Sequence, residues 1–246
     1  MQVQRQRMED QVADRAMVDL FVNSSLSPEM KLASFSLFSR PRYLGRFLGL
    51  YELFKLIVGV KGSIVDCGVY GGASIMAWAK LAQVIDPVNL RRPIYGFDTF
   101  TGFPSVDARD GTAPSVSVRN FETGGGLAEV QAIVDAFEAT ERRDADRSMI
   151  QLVAGDAVET IPAFVEANPH VVVALLFLDF DLYEPTVAAL RHLVPRMPKG
   201  AVLAFDELDD PEWPGETLAV VSELGLGNLR IQRFPFDTPV GFARIE

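Results

Sequence analysis

An apolar run that ends on an acid, turns through three glycines and opens at once into a helix-forming run constrains this 246-residue chain more than any other feature. The run is Ser63-Ile64-Val65-Asp66-Cys67-Gly68-Val69-Tyr70-Gly71-Gly72-Ala73-Ser74, followed by Ile75-Met76-Ala77-Trp78-Ala79-Lys80-Leu81. A strand that passes through glycines into a helix brings backbone close to a ligand, and the helix start offers free N–H groups to it. Taken alone, the segment also fits an ordinary strand–helix turn.

The rest of the chain alternates in the same way. Strand patterns fall at 63–68, 94–98, 150–154, 171–179 and 200–206, with helical patterns near 73–84, 127–140, 157–167, 184–194 and 216–224. Strand-like segments at 228–234 and 239–245 finish the chain and can pair antiparallel around Pro235-Phe236-Asp237-Thr238. Helical spacing also predicts helices over Gln4–Val22, Pro28–Phe38 and Tyr43–Val58. This alternation predicts an α/β fold: a doubly wound, mainly parallel seven-stranded sheet with an N-terminal helical cap. A single domain over 1–246 is expected, with 1–60 as the cap and 61–246 as the cofactor-binding core.

Composition narrows the functional classes. Hydrophobic residues make up 48% and charged residues 23%, which are globular values. The longest apolar run, Val171 to Leu178, is too short to span a bilayer. Met1 to Asp19 mixes acids and arginines with no apolar core of a signal peptide. One cysteine, Cys67, leaves no intramolecular disulfide and fits the cytoplasm. A net charge of −10 repels a phosphate backbone, and Arg142-Arg143 is flanked by Glu141, Asp144 and Asp146. Neither nucleic acid nor membrane is expected as a partner. With two histidines, His170 and His192, there is little material for a histidine triad or a zinc site, and no Gly-x-Ser-x-Gly or Walker loop occurs.

Ligands of such sheets bind beyond the carboxyl ends of the strands, and there the acids gather. Asp66 and Asp98 end the first two strands, Asp156 follows the third, Asp179 and Asp181 end the fourth, and Asp206-Glu207 end the fifth. Each alone reads as a cap or loop acid. Five acidic strand ends on one rim would repel strongly unless cations or hydroxyl-rich ligands sat among them. Gly68-x-x-Gly71-Gly72 is not the Gly-x-Gly-x-x-Gly of dinucleotide sites, which points to S-adenosylmethionine as the ligand of the turn. Asp98 is placed to accept both ribose hydroxyls and Asp156 the adenine amine. Asp179, Asp206 and Glu207 can converge on a hard divalent cation. Asp181 is either a catalytic base or a solvated loop acid. The stretch 102–119, rich in Gly, Pro, Ser, Asp and Thr, reads as a lid.

Asp66 through Ser74, together with Asp98, resembles the cofactor motifs of class I methyltransferases. More specifically, Ile94 to Pro104, Leu178 to Thr186 and Phe205-Asp206-Glu207 resemble the macrocin O-methyltransferase family, over about residues 43 to 225. The resemblance implies a class I, Rossmann-like methyltransferase fold and a magnesium-dependent O-methyltransferase acting on a sugar or glycosylated natural product. It implies that Asp66, Gly68, Tyr70, Gly71, Ser74, Asp98, Asp156 and Asp179 hold S-adenosylmethionine. By the same resemblance Asp179, Asp206 and Glu207 hold magnesium and Asp181 is the base. The chain departs from the family at Pro185, where serine is frequent, and at Asp206-Glu207-Leu208, where paired aspartates and an aromatic are frequent. A catechol-like acceptor, a cephalosporin-hydroxylase-like protein of the same fold and a non-catalytic module are the alternatives. A small-molecule or glycan acceptor and a homo-oligomer through the N-terminal helices are the expected partners.

Overall fold

The computed structural model describes residues 8–89, 92–113, 116–141, 148–236 and 238–246. Residues 4–7 of the first expected helix, the Arg142-Arg143 pair with Asp144 and Asp146, and Asp237 of the terminal turn lie outside the described residues.

Seven strands form one sheet: β1 (Ser63–Cys67), β2 (Ile94–Asp98), β3 (Ile150–Ala154), β4 (Val173–Leu178), β5 (Val202–Phe205), β6 (Gln232–Arg233) and β7 (Gly241–Arg244). Their order is β3-β2-β1-β4-β5-β7-β6. The first five are parallel, and β7 runs antiparallel to both β5 and β6. The doubly wound sheet and the antiparallel C-terminal pair are therefore present. The last strands are shorter than the expected 228–234 and 239–245: β6 is an edge strand that pairs with β7 over Gln232 and Arg233 alone.

Side chains alternate across the sheet and build two cores. Ile64, Ile94, Leu175, Phe177 and Val202 face one side, against α3 (Pro41–Ile57) and α4 (Ala73–Ile85). Val65, Cys67, Phe97, Leu176, Leu178 and Phe205 face the other, against α6 (Ala157–Ala167), α7 (Tyr183–Leu193) and α8 (Pro214–Glu223). Helix α5 (Gly126–Glu141) joins the first core through Val130 and Val134. Covering both faces explains why β4 reads as an unbroken apolar run.

The N-terminal region divides. In α1 (Met8–Asn23) and α2 (Pro28–Ala33) none of the described side chains is buried. Helix α3, by contrast, inserts Leu50, Leu53, Phe54 and Ile57 into the first core. The expected single helix over 28–38 breaks after Ala33. Ser34 leaves helical geometry there, and Phe35–Leu37 tightens into a 3-10 turn. Among the described residues, no helix is long and apolar enough to cross a membrane.

Residues 99–113 and 116–125 cross the carboxyl edge of the sheet as an anchored segment. Its anchor is Asp110, which ends a 3-10 turn (Ala108–Asp110) and is 1% exposed. Its carboxylate accepts the Asp107 N–H at 2.6 Å and the Tyr183 N–H, at the start of α7, at 2.5 Å. Phe103, Phe121 and Trp213 pack edge to face and tilted behind it, with centroids 5.3 to 5.8 Å apart. Asp110→Ala strands the buried Tyr183 N–H and the half-buried Asp107 N–H, and a stability loss of about 2–3 kcal/mol is expected in urea unfolding. Asp110→Asn keeps an acceptor and should lose less. A loss under about 0.5 kcal/mol in the alanine variant would mean that the segment is held elsewhere.

Candidate active site

The site begins where β1 runs out. Gly68 has φ +96°, and a Cβ there would collide with the carbonyl oxygen of Asp179 at the end of β4. Only glycine allows this approach at a left-handed φ. The chain then turns through Tyr70 (φ +49°) and Gly72 (φ +88°), closed by a Gly72 N–H to Val69 carbonyl bond of 2.8 Å, and enters α4. Order β2-β1-β4 makes this the switch point of the sheet, where connections leave to opposite faces and a crevice opens.

A cleft of about 780 Å³, its open mouth included, lies at that crevice, lined on its floor by Gly68, Tyr70, Asp98, Asp156, Asp179 and Asp181. Phe103 and Phe121 of the crossing segment form a wall, with Tyr70 edge-on to Phe121 at 5.8 Å.

Each acid is held differently. Asp98 accepts the Tyr70 N–H at 2.8 Å and the Phe100 N–H at 2.6 Å, which locks the glycine turn to the end of β2. Burial raises its pKa, against those two bonds. Asp156 caps α6, accepting the Val158 N–H at 3.0 Å. Asp66 lies below the cleft floor, fully buried, and accepts the Ser74 hydroxyl at 2.8 Å. Burial pushes its pKa up to about 7. Gly71 is exposed and a side chain there would meet open space. Asp66, Ser74 and Gly71 thus shape the turn without lining the cleft.

Past β4 the chain does not continue as strand. Asp181 sits at φ +62°, and this turn, not strand alternation, brings it to the same side as Asp179. Asp179, Asp181 and Glu207 each present a carboxylate oxygen within 4.8 Å of the others. Oxygen-only donors at that spacing fit a hard cation. Of the expected metal set Asp179, Asp206 and Glu207, Asp206 is not in this group and Asp181 is; Arg46 of α3 pairs with Asp206 and also with Asp179 at 2.5 Å. Burial raises Asp179 and Glu207 well above the usual carboxylate range, helped by Asp206 beside the first and Asp181 beside the second. Burial takes Asp181 to about 7, against a hydrogen bond with Glu207. Behind them Glu216, fully buried on α8, accepts the Glu207 N–H at 3.1 Å.

Arg46, Asp110 and Glu216 were not anticipated from sequence. A signal for two of them was present: Arg46 falls on the apolar stripe of Leu50, Leu53 and Ile57, and Glu216 on that of Ala219 and Val220. A charge on a buried stripe needs a partner inside.

The sequence profile of the family described as Macrocin-O-methyltransferase (TylF) matches residues 52–215. A relative from Streptomyces olivaceus, 8-demethyl-8-(2,3-dimethoxy-alpha-L-rhamnosyl)-tetracenomycin-C 4'-O-methyltransferase, is 32% identical over 151 residues. That match spans 61% of this chain and about half, 54%, of the relative's length. The crystal structure of CalS11, a calicheamicin methyltransferase, superposes with a TM-score of 0.93 at 34% identity, over 97% of this chain and 93% of that one. The apo structure of CalS11, described as a TDP-rhamnose 3'-O-methyltransferase, gives 0.85 at 32% identity over 97% and 95% of the two chains. The O-methyltransferase NovP, 19% identical over 81% and 78% of the two chains, shares the fold at a TM-score of 0.59.

The raised acids make stability depend on pH. Between about pH 4 and about pH 7 an unfolded carboxylate has lost its proton while the folded one keeps it. Rising pH therefore favours unfolding through that window. In chelator, the melting temperature should be higher at about pH 5.5 than at about pH 8, and Asp66→Asn should flatten part of the slope. A flat profile would mean that these carboxyls ionise normally.

Proposed function

The chain belongs to the macrocin-O-methyltransferase family, and we propose that it transfers a methyl group from S-adenosylmethionine to a sugar hydroxyl of a natural product. The observation that carries this reading is one cleft with Asp98 on one side of Gly68 and the Asp179–Asp181 turn on the other. The cofactor supplies a methyl already activated on a cationic sulfur. Gly68 lets it lie against backbone, Asp98 takes the ribose hydroxyls with lone pairs not used by its two N–H donors, and Asp156 takes the adenine amine. Asp66, Ser74 and Gly71 keep the turn open for it, and Tyr70 and Phe121 wall it in.

The acceptor sits at the Asp179–Asp181 end. Asp181 is the base: its Oδ1 is buried without a hydrogen-bond partner among the described residues, and its raised pKa suits taking a hydroxyl proton. Asp179 and Glu207 are carboxylates that would hold magnesium, joined by Asp206 once its pairing with Arg46 is broken. The ion's contribution, when bound, is to orient vicinal hydroxyls and acidify one. Support for a sugar acceptor comes from the relatives, which act on a rhamnosyl tetracenomycin and on TDP-rhamnose. Exposed Phe21, Leu32, Phe35 and Leu37 on the first helical segments support a homo-oligomer formed through them. The buried, unpaired thiol of Cys67 supports a cytoplasmic location.

Asp98→Ala should weaken S-adenosylhomocysteine binding about tenfold or more in calorimetry, through loss of charge-assisted bonds. Unchanged affinity would take Asp98 out of the cofactor site. With TDP-rhamnose and a rhamnosylated polyketide as acceptors, exhaustive chelation should abolish transfer and magnesium should restore it. Asp179→Asn should raise the magnesium requirement. Asp181→Asn should retain metal and cofactor affinity yet lose about a hundredfold in turnover. Normal turnover of that variant at saturating magnesium would leave Asp181 a loop acid.

A further inference from the structure

Arg46 reaches from the first half of α3 across the ends of β4 and β5. Nη2 donates to Asp179 Oδ2 at 2.5 Å and Nη1 to Asp206 Oδ1, so one guanidinium bridges two of the three carboxylates assigned above to the metal. The guanidinium lies 5.7 Å from the centre of the Phe177 ring. Its side chain is 24% exposed, whereas that of Asp206 is fully covered. On the other side of this bridge, Asp206 Oδ2 and Asp181 Oδ1 are buried with no hydrogen-bond partner among the described residues. The acids therefore carry acceptor capacity beyond what Arg46 uses, directed where no protein donor meets it.

We propose that Arg46 is a resident counter-ion that competes with a divalent cation for Asp179 and Asp206, so that a metal held by these two acids requires the guanidinium to swing off the strand ends. The inference rests on the metal reading above. A guanidinium forked across two carboxylates forms charge-assisted bonds that a metal must replace. Within a partly desolvated site the two positive groups also repel each other more strongly than in water. The body of α3 is fixed by Leu50, Leu53 and Ile57 in the core, so the change falls on the side chain, whose exposed quarter gives it a route to solvent. Arg40 and Arg42, nearer the start of α3, are tied to Asp14 of α1 at 2.6 and 2.5 Å, which leaves Arg46 as the arginine of this helix that answers the strand-end acids. Metal affinity is then set below what the carboxylates alone would give.

The test is manganese binding to the full chain without acceptor, followed by electron paramagnetic resonance and calorimetry. Arg46→Gln should bind manganese about tenfold more tightly or better than the wild type, because competition and repulsion vanish together. Arg46→Lys, which keeps the charge but cannot fork across two carboxylates, should fall between. S-adenosylhomocysteine affinity and melting temperature of the same preparations report whether each variant is folded. Should Arg46→Gln not fold, the wild type decides: the Arg46 Nε–H resonance, assigned by its absence in Arg46→Lys, should move on magnesium titration. Equal or weaker manganese binding by Arg46→Gln, or an unmoved resonance with magnesium bound, overturns the competition and makes Arg46 a structural tie. If neither protein binds manganese at millimolar concentration, the metal reading itself fails, an outcome distinct from equal binding.

Discussion

Between β1 and β4 the backbone at Gly68 runs so close to the carbonyl of Asp179 that a single methyl group has no room, and the cleft takes its geometry from that contact. The two strands are neighbours at the switch point, so their ends diverge into loops on opposite faces. Drawing them together at Gly68 sets the glycine turn beside the Asp179–Asp181 turn. The Tyr70 N–H then reaches Asp98 on β2, which joins three strand ends into one floor. A larger residue at 68 would separate the halves of the site before it altered any contact to a ligand.

The second constraint is charge. A rim carrying this many carboxylates is costly to assemble, and the protein answers with four separate devices. Backbone N–H groups hold Asp98, a helix start holds Asp156, a hydroxyl holds Asp66, and a guanidinium holds Asp179 and Asp206. Asp181 and Glu207 share a hydrogen bond at the centre, with Glu216 behind. The uncompensated part is concentrated at the acceptor end, where the proposed chemistry needs a proton taken and a cation bound. Burial without full pairing is what raises these acids above their ordinary range.

The aromatic wall links the two constraints. Phe103, Phe121 and Trp213 make a small core separate from the two that cover the sheet. Asp110 ties that core to the start of α7, the helix that follows the Asp179–Asp181 turn. Loop, turn and helix are in this way one packed unit rather than a strap over an open site. Of the stretch expected as a lid, Gly102 to Ser105 line the cleft.

Local pattern determined a great deal of this protein. Alternating apolar runs and helical stripes specify the strands and most helices, because periodicity reports which faces are buried. The glycine spacing and the acids after each strand mark the rim, since a parallel sheet sends every such position to the same edge. What tertiary structure decided is which acid meets which partner. Asp179 and Asp181 share a side through a left-handed turn that no alternation rule contains, and Asp206 is claimed by an arginine 160 residues earlier in the chain. Asp66 and Ser74 lie in the same motif as Gly68 yet bond to each other beneath the floor. Such pairings depend on how helices and strands distant in sequence pack together, and a charge on an apolar stripe shows only that a partner exists, not which one.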